Sequence, residues 1–411
     1  MTTERSTSRY GWVVLGVLWF TLLVSYFDRV VLGSALPFIS REFGLTPAMA
    51  GVVSAALFLS YTIVQVPAGA VTDRFGQRRV IAAAIGWWTV FSVLTGAVAG
   101  GIAALLVVRF LMGAGEGFHA PPLWRALSNW FPPGRRSLPL ALMLSALTLG
   151  PALAPAIAFP LTLAWGWRSV FLATLVPGVL CVVLVLLLLR DTPDQRDLVR
   201  EARPTVREPR RWRVPHIWFT FLAFYCFGFV LYGLMTWLPT YLLTYRGLNV
   251  ARAGLFSALP FVAGTVGMLL GAWLCERRFN HARRRFVAVT YLLTAAAIAL
   301  TVSAADATTS GVFLTVSGFF LYSGLGPFWS VPMDVVRQDE VGTWLGFINM
   351  GTQLAGLLGP LLIGWLVQVS GSFTLVFIAM VVAMVLGAAC LMLARARPPV
   401  DTQVPAPATA S

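Results

Sequence analysis

GAVTDRFGQRR, residues 69–79, ends one apolar run and opens the next. About 202 residues later GAWLCERRFNHARRR, residues 271–285, does the same, with Glu276 standing where Asp73 stands. The match extends outward. GLTPAMAGVVSAAL from Gly44 faces GLNVARAGLFSALP from Gly247, and the preceding Leu36-Pro37 faces Leu238-Pro239. A weaker echo places LGPAL at Leu149 against LGPLL at Leu358. Self-similarity at one long offset means that the chain is built of two homologous halves.

Each half is strongly apolar. The 411 residues are 58% hydrophobic and 11% charged, with a mean hydropathy of +0.79, far outside the range of soluble domains. A helix needs about 20 apolar residues to cross about 30 Å of hydrocarbon. Runs of that kind start near residues 11, 48, 79, 102, 137, 167, 215, 252, 286, 311, 342 and 373. The sequence therefore predicts an all-α integral membrane protein: twelve transmembrane helices in two homologous six-helix bundles. The expected divisions are an N-terminal bundle over 1–190, a cytoplasmic linker over 191–214, a C-terminal bundle over 215–397 and a disordered tail over 398–411. Parallel repeats of this sort are a plan of secondary transporters, which work by rocking two bundles about a midplane site.

Arginines gather in alternate gaps, at Arg74, Arg78 and Arg79, at Arg135 and Arg136, from Arg190 to Arg213, and from Arg277 to Arg285, whereas the gaps at 98–102 and 369–373 carry none. By the positive-inside rule this predicts a multi-pass protein of the cell (inner) membrane with both termini cytoplasmic. The net charge of +14 then reflects topology and anionic-lipid contacts, and nucleic acid is not an expected partner. Cys181, Cys226, Cys275 and Cys390 each stand alone, without metal-ligand spacing. No metal, cofactor, catalytic constellation or nucleotide loop is expected, so the chain does not read as an enzyme. GAGEG at Gly113 lies in an apolar helix and lacks the spacing of a dinucleotide loop; close helix packing explains it better.

In the loop at residues 69–79, Gly69 is expected to let a neighbouring helix approach, Gly76 to permit a tight turn, and Asp73 to accept hydrogen bonds at the start of the third helix. Arg74, Arg78 and Arg79 suit carbonyls at helix ends or acids across the interface between the halves. This loop resembles the G-x-x-x-D-R-F-G-x-R-R signature between helices two and three of the major facilitator superfamily. YFDRVVL at Tyr26, RFLMGAGEG at Arg109 and the P-x-x-x-R-x-x-x-x-W-F-P pattern from Pro121 resemble, more narrowly, the anion:cation symporter branch. His119, Pro122 and the pair Arg135-Arg136 depart from that branch. The resemblance implies proton-coupled carriage of organic anions, with residues 69–79 forming a cytoplasmic latch while the carrier opens outward.

Asp28, Arg29, Arg109 and Glu116 fall well inside apolar runs. At a helix centre each costs about 2.5–3.5 kcal/mol on insertion scales, so all four must face a polar cavity or one another. The repeat supplies a control: Asp28 and Arg29 correspond to Val230 and Leu231, so the fold itself does not require charge there. Arg109 and Glu116 are seven residues apart and share a helix face. Opposed helix directions place Asp28 level with Arg109, and the lean of side chains brings Arg29 toward Glu116. Two pairs are expected, Asp28 with Arg109 and Glu116 with Arg29. Arg29, with its planar fork, is the expected carboxylate ligand. Burial and a neighbouring arginine act oppositely on an acid, which makes Glu116 the expected proton-coupling group and Asp28 the second.

Tyr26, Tyr232, Asn349 and Gln353 are expected to line the same cavity beside Arg109, with Asn349 and Gln353 on one face at i and i+4. Tyr225, Tyr322 and Trp329 read as core aromatics, and His119 as a hydrogen-bonded packing residue. The function expected is secondary active uptake of a small organic anion, such as a sugar acid, hydroxy dicarboxylate or aromatic carboxylate, by proton symport and alternating access in a functional monomer. The proton gradient is its only drive. The alternative is an exporter of amphipathic compounds in exchange for protons.

Overall fold

The structure is a computed structural model, which describes residues 9–97, 101–131, 137–190, 215–333 and 341–394. The linker expected over 191–214, the tail expected over 398–411 and the pair Arg135-Arg136 lie outside the described residues. Among the described residues, twelve helices are long and apolar enough to cross a membrane. They are α1 (Arg9–Phe43), α2 (Pro47–Phe75), α3 (Gln77–Ala97), α4 (Ile102–Trp130), α5 (Ser137–Trp165) and α6 (Trp167–Leu188) in the first half. The second half holds α7 (Ile217–Tyr245), α8 (Val250–Arg278), α9 (Arg283–Val302), α10 (Ala307–Pro332), α11 (Val341–Ser370) and α12 (Thr374–Leu393). Helices are what hydrocarbon permits, because they satisfy every backbone polar group internally.

The sequence repeat is also a repeat of local geometry. Gly44 and Gly247 take φ of +63° and +64°, a left-handed turn that glycine adopts without strain. Two residues on, Thr46 caps α2 by accepting from the Met49 N–H at 3.3 Å, and Asn249 caps α8 by accepting from the Arg252 N–H at 2.9 Å. Gly76, with φ of +83°, makes the expected turn between α2 and α3. Elsewhere Asp306 caps α10, accepting from the Thr309 hydroxyl at 2.6 Å and its N–H at 2.9 Å. Those bonds hold its carboxyl below the ordinary carboxylate range. Cys181, Cys226, Cys275 and Cys390 are free and buried.

The halves meet through α1 on α7, α2 on α11 and α5 on α8. Their closest approaches lie toward the end of the bundle opposite the arginine-rich loops. There a Cβ on Gly33 would strike the Met235 carbonyl, one on Gly51 would lie 2.5 Å from the Pro360 carbonyl oxygen, and one on Gly364 would strike the Pro47 carbonyl. Across the same seam the Gln368 side chain accepts from the Ala48 N–H at 3.2 Å. Nearer the middle Thr265 donates to Thr148 at 2.7 Å. Helices without side chains between them gain dispersion contact along their backbones, the device by which membrane helices associate when no hydrophobic drive exists.

At the arginine-rich end the expectation for Gly69 is not met. A Cβ there would have nothing within 4 Å, because the face of α2 that Gly69 occupies is open while Ala68 and Thr72 beside it are buried. Asp73 does not serve α3 either; its carboxylate is taken by Arg125 of α4 within the same half. Arg78 donates to the Leu186 carbonyl near the end of α6, Arg74 lies 5.3 Å over the Phe75 ring, and Arg79 is exposed.

Gly364→Leu should force the seam at the far end apart, since overpacking a close helix contact costs about 1–3 kcal/mol. Ala50 is 2% exposed in that seam. A cysteine placed there, in a background lacking the four native cysteines, should be alkylated faster when Gly364→Leu is added. Unchanged labelling would remove glycine packing as the cause of closure.

Candidate substrate and proton site

Three helices of the first half set the site. In α4, Gly113, Gly115 and Gly117 flank Glu116 closely, and each fills a contact that a side chain would block. A Cβ on Gly113 would strike the Leu57 carbonyl, one on Gly115 would lie 2.6 Å from the Trp87 ring, and one on Gly117 would lie 2.8 Å from the Tyr61 carbonyl oxygen. GAGEG is thus the packing motif expected of it. It lays α4 against α2 and α3, and Ser60 of α2 fixes the approach by donating to the Phe110 carbonyl at 2.5 Å.

That packing delivers Glu116 to α1. The Arg29 Nε donates to Glu116 Oε2 at 2.6 Å, with the side chains 5% and 0% exposed. The guanidinium carbon also lies 4.7 Å from the ring centroids of both Tyr26 and Tyr61, so two aromatic faces and one carboxylate enclose it. Tyr232 of α7 lies within electrostatic reach of Arg29 and packs edge-on to Phe58 of α2 at 4.6 Å. The cage therefore draws on both halves.

The second expected pair does not form. Arg109 is 1% exposed and its Nη1 lies against the Met112 sulfur at 3.2 Å, one turn along its own helix. Asp28 is 2% exposed, and neither its Oδ1 nor the Arg109 Nε has a hydrogen-bond partner. The two charges sense each other and Glu116 electrostatically without making an ion pair. The reason is the direction that Arg109 takes: its side chain follows α4 instead of crossing to α1. His119, also on α4, is buried; its Nε2 lies 3.1 Å from the Thr21 hydroxyl and its ring meets Trp88 edge-on at 4.9 Å. It is a packed histidine inside the first bundle.

In the second half, Gln353 is 5% exposed and its Oε1 has no partner, while Asn349 one turn earlier is half-buried. Their helix face is placed by Gly356, whose hypothetical Cβ would lie 2.5 Å from the Phe58 ring. Phe58 in turn packs on Tyr232. The Asn349, Gln353 and Gly356 face thus looks toward the cage. Tyr322 is 1% exposed with its hydroxyl unpartnered. Trp329 joins a cluster with Phe224 at 4.8 Å and Phe328 at 5.9 Å, the core role expected of it, and Tyr225 is half-buried.

Tyr61 and Phe58 escaped the sequence reading. A lone tyrosine in an apolar helix carries no periodic signal, and its depth, matching that of Arg29, is the one feature that selects it.

The profile of the Major Facilitator Superfamily matches residues 18–356 and 330–410. The chain belongs to the major facilitator superfamily. Among curated members, the probable sulfoacetate transporter of Cupriavidus necator is 31% identical, covering 91% of each chain. The hexuronate transporter of Bacillus subtilis is 27% identical over 87% of this chain and 88% of its own. A probable galactarate/D-glucarate transporter of the same organism is 27% identical over 92% and 90%. Among solved structures, a D-xylose–proton symporter superposes with a TM-score of 0.79 at 15% identity, covering 93% of this chain and 97% of its own. A bacterial homolog of the lysosomal transporter Spinster, inward-facing and occupied, superposes with a TM-score of 0.76 at 20% identity, covering 95% and 97%. This superfamily protein is a multi-pass membrane transporter and not an enzyme, and close relatives carry organic acids.

Arg29→Lys keeps the charge but loses the planar fork that two rings and a carboxylate enclose. Binding of an organic anion should weaken by roughly 10–100-fold, the equivalent of about 1.5–3 kcal/mol for a charged hydrogen bond, as read by titration of purified protein. Tyr61→Leu removes one cation–π face, worth about 0.5–2 kcal/mol, whereas Tyr61→Phe retains it and should bind nearly as the parent does.

Proposed function

We propose that the protein is a proton-coupled symporter that takes up a small organic anion by alternating access, with Arg29 as the carboxylate ligand and Glu116 as the coupling acid. The observation that carries this reading is the buried contact of 2.6 Å between Arg29 and Glu116. While Glu116 is ionised it occupies the guanidinium that an anion needs. Protonation of Glu116 cancels that claim, and the Tyr26 and Tyr61 rings keep the guanidinium in place for the incoming carboxylate. Bound anion in turn disfavours ionised Glu116. Proton and substrate therefore raise each other's affinity, as linkage requires of any coupled pair. One proton entering with one carboxylate leaves the buried charge of the site unchanged, so the loaded carrier can rock as readily as the empty one. Asp28 stands as the second acid, close enough to Glu116 to feel its charge.

With the arginine-rich loops placed at the cytoplasm by the positive-inside rule, both termini are cytoplasmic, the glycine seam closes the outer end, and the conformation is inward-open. Asp73 is then held by Arg125 inside its own half. Arg74 and Arg79, with the turn at Gly76, meet the second half when the cytoplasmic end closes, and Arg78 exchanges the Leu186 carbonyl for a partner there. Export of amphipathic compounds fits less well, because the rings that would receive an apolar body already enclose a guanidinium.

The test is uptake of labelled organic acids into proteoliposomes with and without an inwardly directed proton gradient, acidic outside. The parent should concentrate its substrate only with the gradient. Glu116→Gln, a permanently neutral stand-in for the protonated acid, should exchange substrate across the membrane yet fail to concentrate it. Gradient-driven accumulation by Glu116→Gln would sink the assignment.

A further inference from the structure

Resting on the organic-anion reading, we infer that the substrate is a monoanion with hydroxyl groups along its body, because of the buried arginines among the described residues Arg29 alone stands in the tyrosine cage. Of the two buried arginines, Arg29 sits in the tyrosine cage, within reach of Tyr232 from the second half. Arg109 lies along α4 on Met112, one turn further on, and its charge is felt by Asp28. Arg109 is 1% exposed with its Nη1 on the Met112 sulfur at 3.2 Å, so in this arrangement it is not offered to a substrate.

The charges sum simply. While Asp28 is ionised it offsets Arg109, protonated Glu116 is neutral, and Arg29 then leaves one positive charge for one anionic group. A second anionic group at the other end of the substrate would have to meet the second half. Among the described residues of α7–α12 every arginine lies at or near a helix end. Arg246, for instance, is spent on the Tyr241 hydroxyl at 2.6 Å and the Ala304 carbonyl at 3.1 Å.

What the second half presents instead is neutral and unsatisfied. The Gln353 Oε1 is a buried acceptor without a donor, and the Tyr322 hydroxyl is likewise unpartnered. Tyr322 lies within electrostatic reach of Tyr26 and Tyr232. Turning the Gln353 amide would exchange acceptor for donor but would still supply no charge. Orphaned neutral groups of this kind reward hydroxyls, which both donate and accept, and a site built to bond them discriminates against molecules lacking them. The inference separates types among the relatives: a hexuronate carries one carboxylate, whereas glucarate carries two.

The experiment compares matched acids for thermal stabilisation of the purified full chain at pH 7.5, where all carboxylates are ionised: gluconate against glucarate, lactate against malate, acetate against sulfoacetate, and gluconate against hexanoate. In every mono/di pair that binds, the monoanion should bind at least about 10-fold more tightly, and gluconate should exceed hexanoate by a similar factor. Gln353→Arg, which adds a second cation on the facing helix, should move the preference toward glucarate. Equal or tighter binding of the dianions to the parent protein would overturn the single-cation inference while leaving the organic-anion reading intact. Tighter binding of hexanoate would overturn the hydroxyl part. If no acid of any pair stabilises the protein, the organic-anion reading falls and this inference falls with it.

Discussion

Between Arg29 and Glu116 the hydrocarbon environment leaves no choice but contact, and much of the first bundle follows from it. An ion buried in low dielectric costs several kcal/mol unless a partner and further contacts compensate it. Here the partner comes from α4 at 2.6 Å and the further contacts from two tyrosine faces at 4.7 Å. Such an arrangement tolerates little displacement. It needs α1, α2 and α4 at fixed separations, and the glycines around Glu116 supply them by removing the side chains that would hold the helices apart. The motif that resembles a nucleotide loop at first sight is a spacing device for a charge pair.

The two halves have divided their tasks. Both retain the left-handed glycine and the capped helix start at Gly44 to Thr46 and Gly247 to Asn249, and both contribute to the glycine seam. Charge inside the membrane belongs to the first half alone among the described residues, and the second half answers with neutral groups at Tyr232, Tyr322, Asn349 and Gln353. Common ancestry explains the shared frame. On the proposed symport mechanism the difference follows from the chemistry of carriage: a half that exchanges a proton must hold acids and cations, and a half that reads the remainder of the substrate must not compete for them.

Closure at one end is built from backbone contact and not from charge. Gly33, Gly51 and Gly364 bring helices of opposite halves together where any side chain would intrude, and a single side-chain amide from Gln368 reaches the start of α2. Contacts of this type are many, weak and short-ranged, so a small rotation releases them together. At the other end the arginines are held by groups of their own half, as Arg125 holds Asp73 and Leu186 holds Arg78.

Apolar run length, the long repeat and the arginine pattern by themselves determined a twelve-helix membrane protein in two halves, because a bilayer admits only helices of set length. The cost of charge in hydrocarbon singled out Asp28, Arg29, Arg109 and Glu116, and helix direction with side-chain lean paired Arg29 with Glu116. Tertiary structure decided the rest. It turned Arg109 along its own helix to Met112 instead of across to Asp28, brought Tyr61 and Phe58 into the cage, left Gly69 without a neighbour and gave Asp73 to Arg125. Those outcomes depend on rotamers and on contacts between helices far apart in the chain. Periodicity within one helix fixes which face a residue occupies, but not which of several side chains on the opposing faces it will meet.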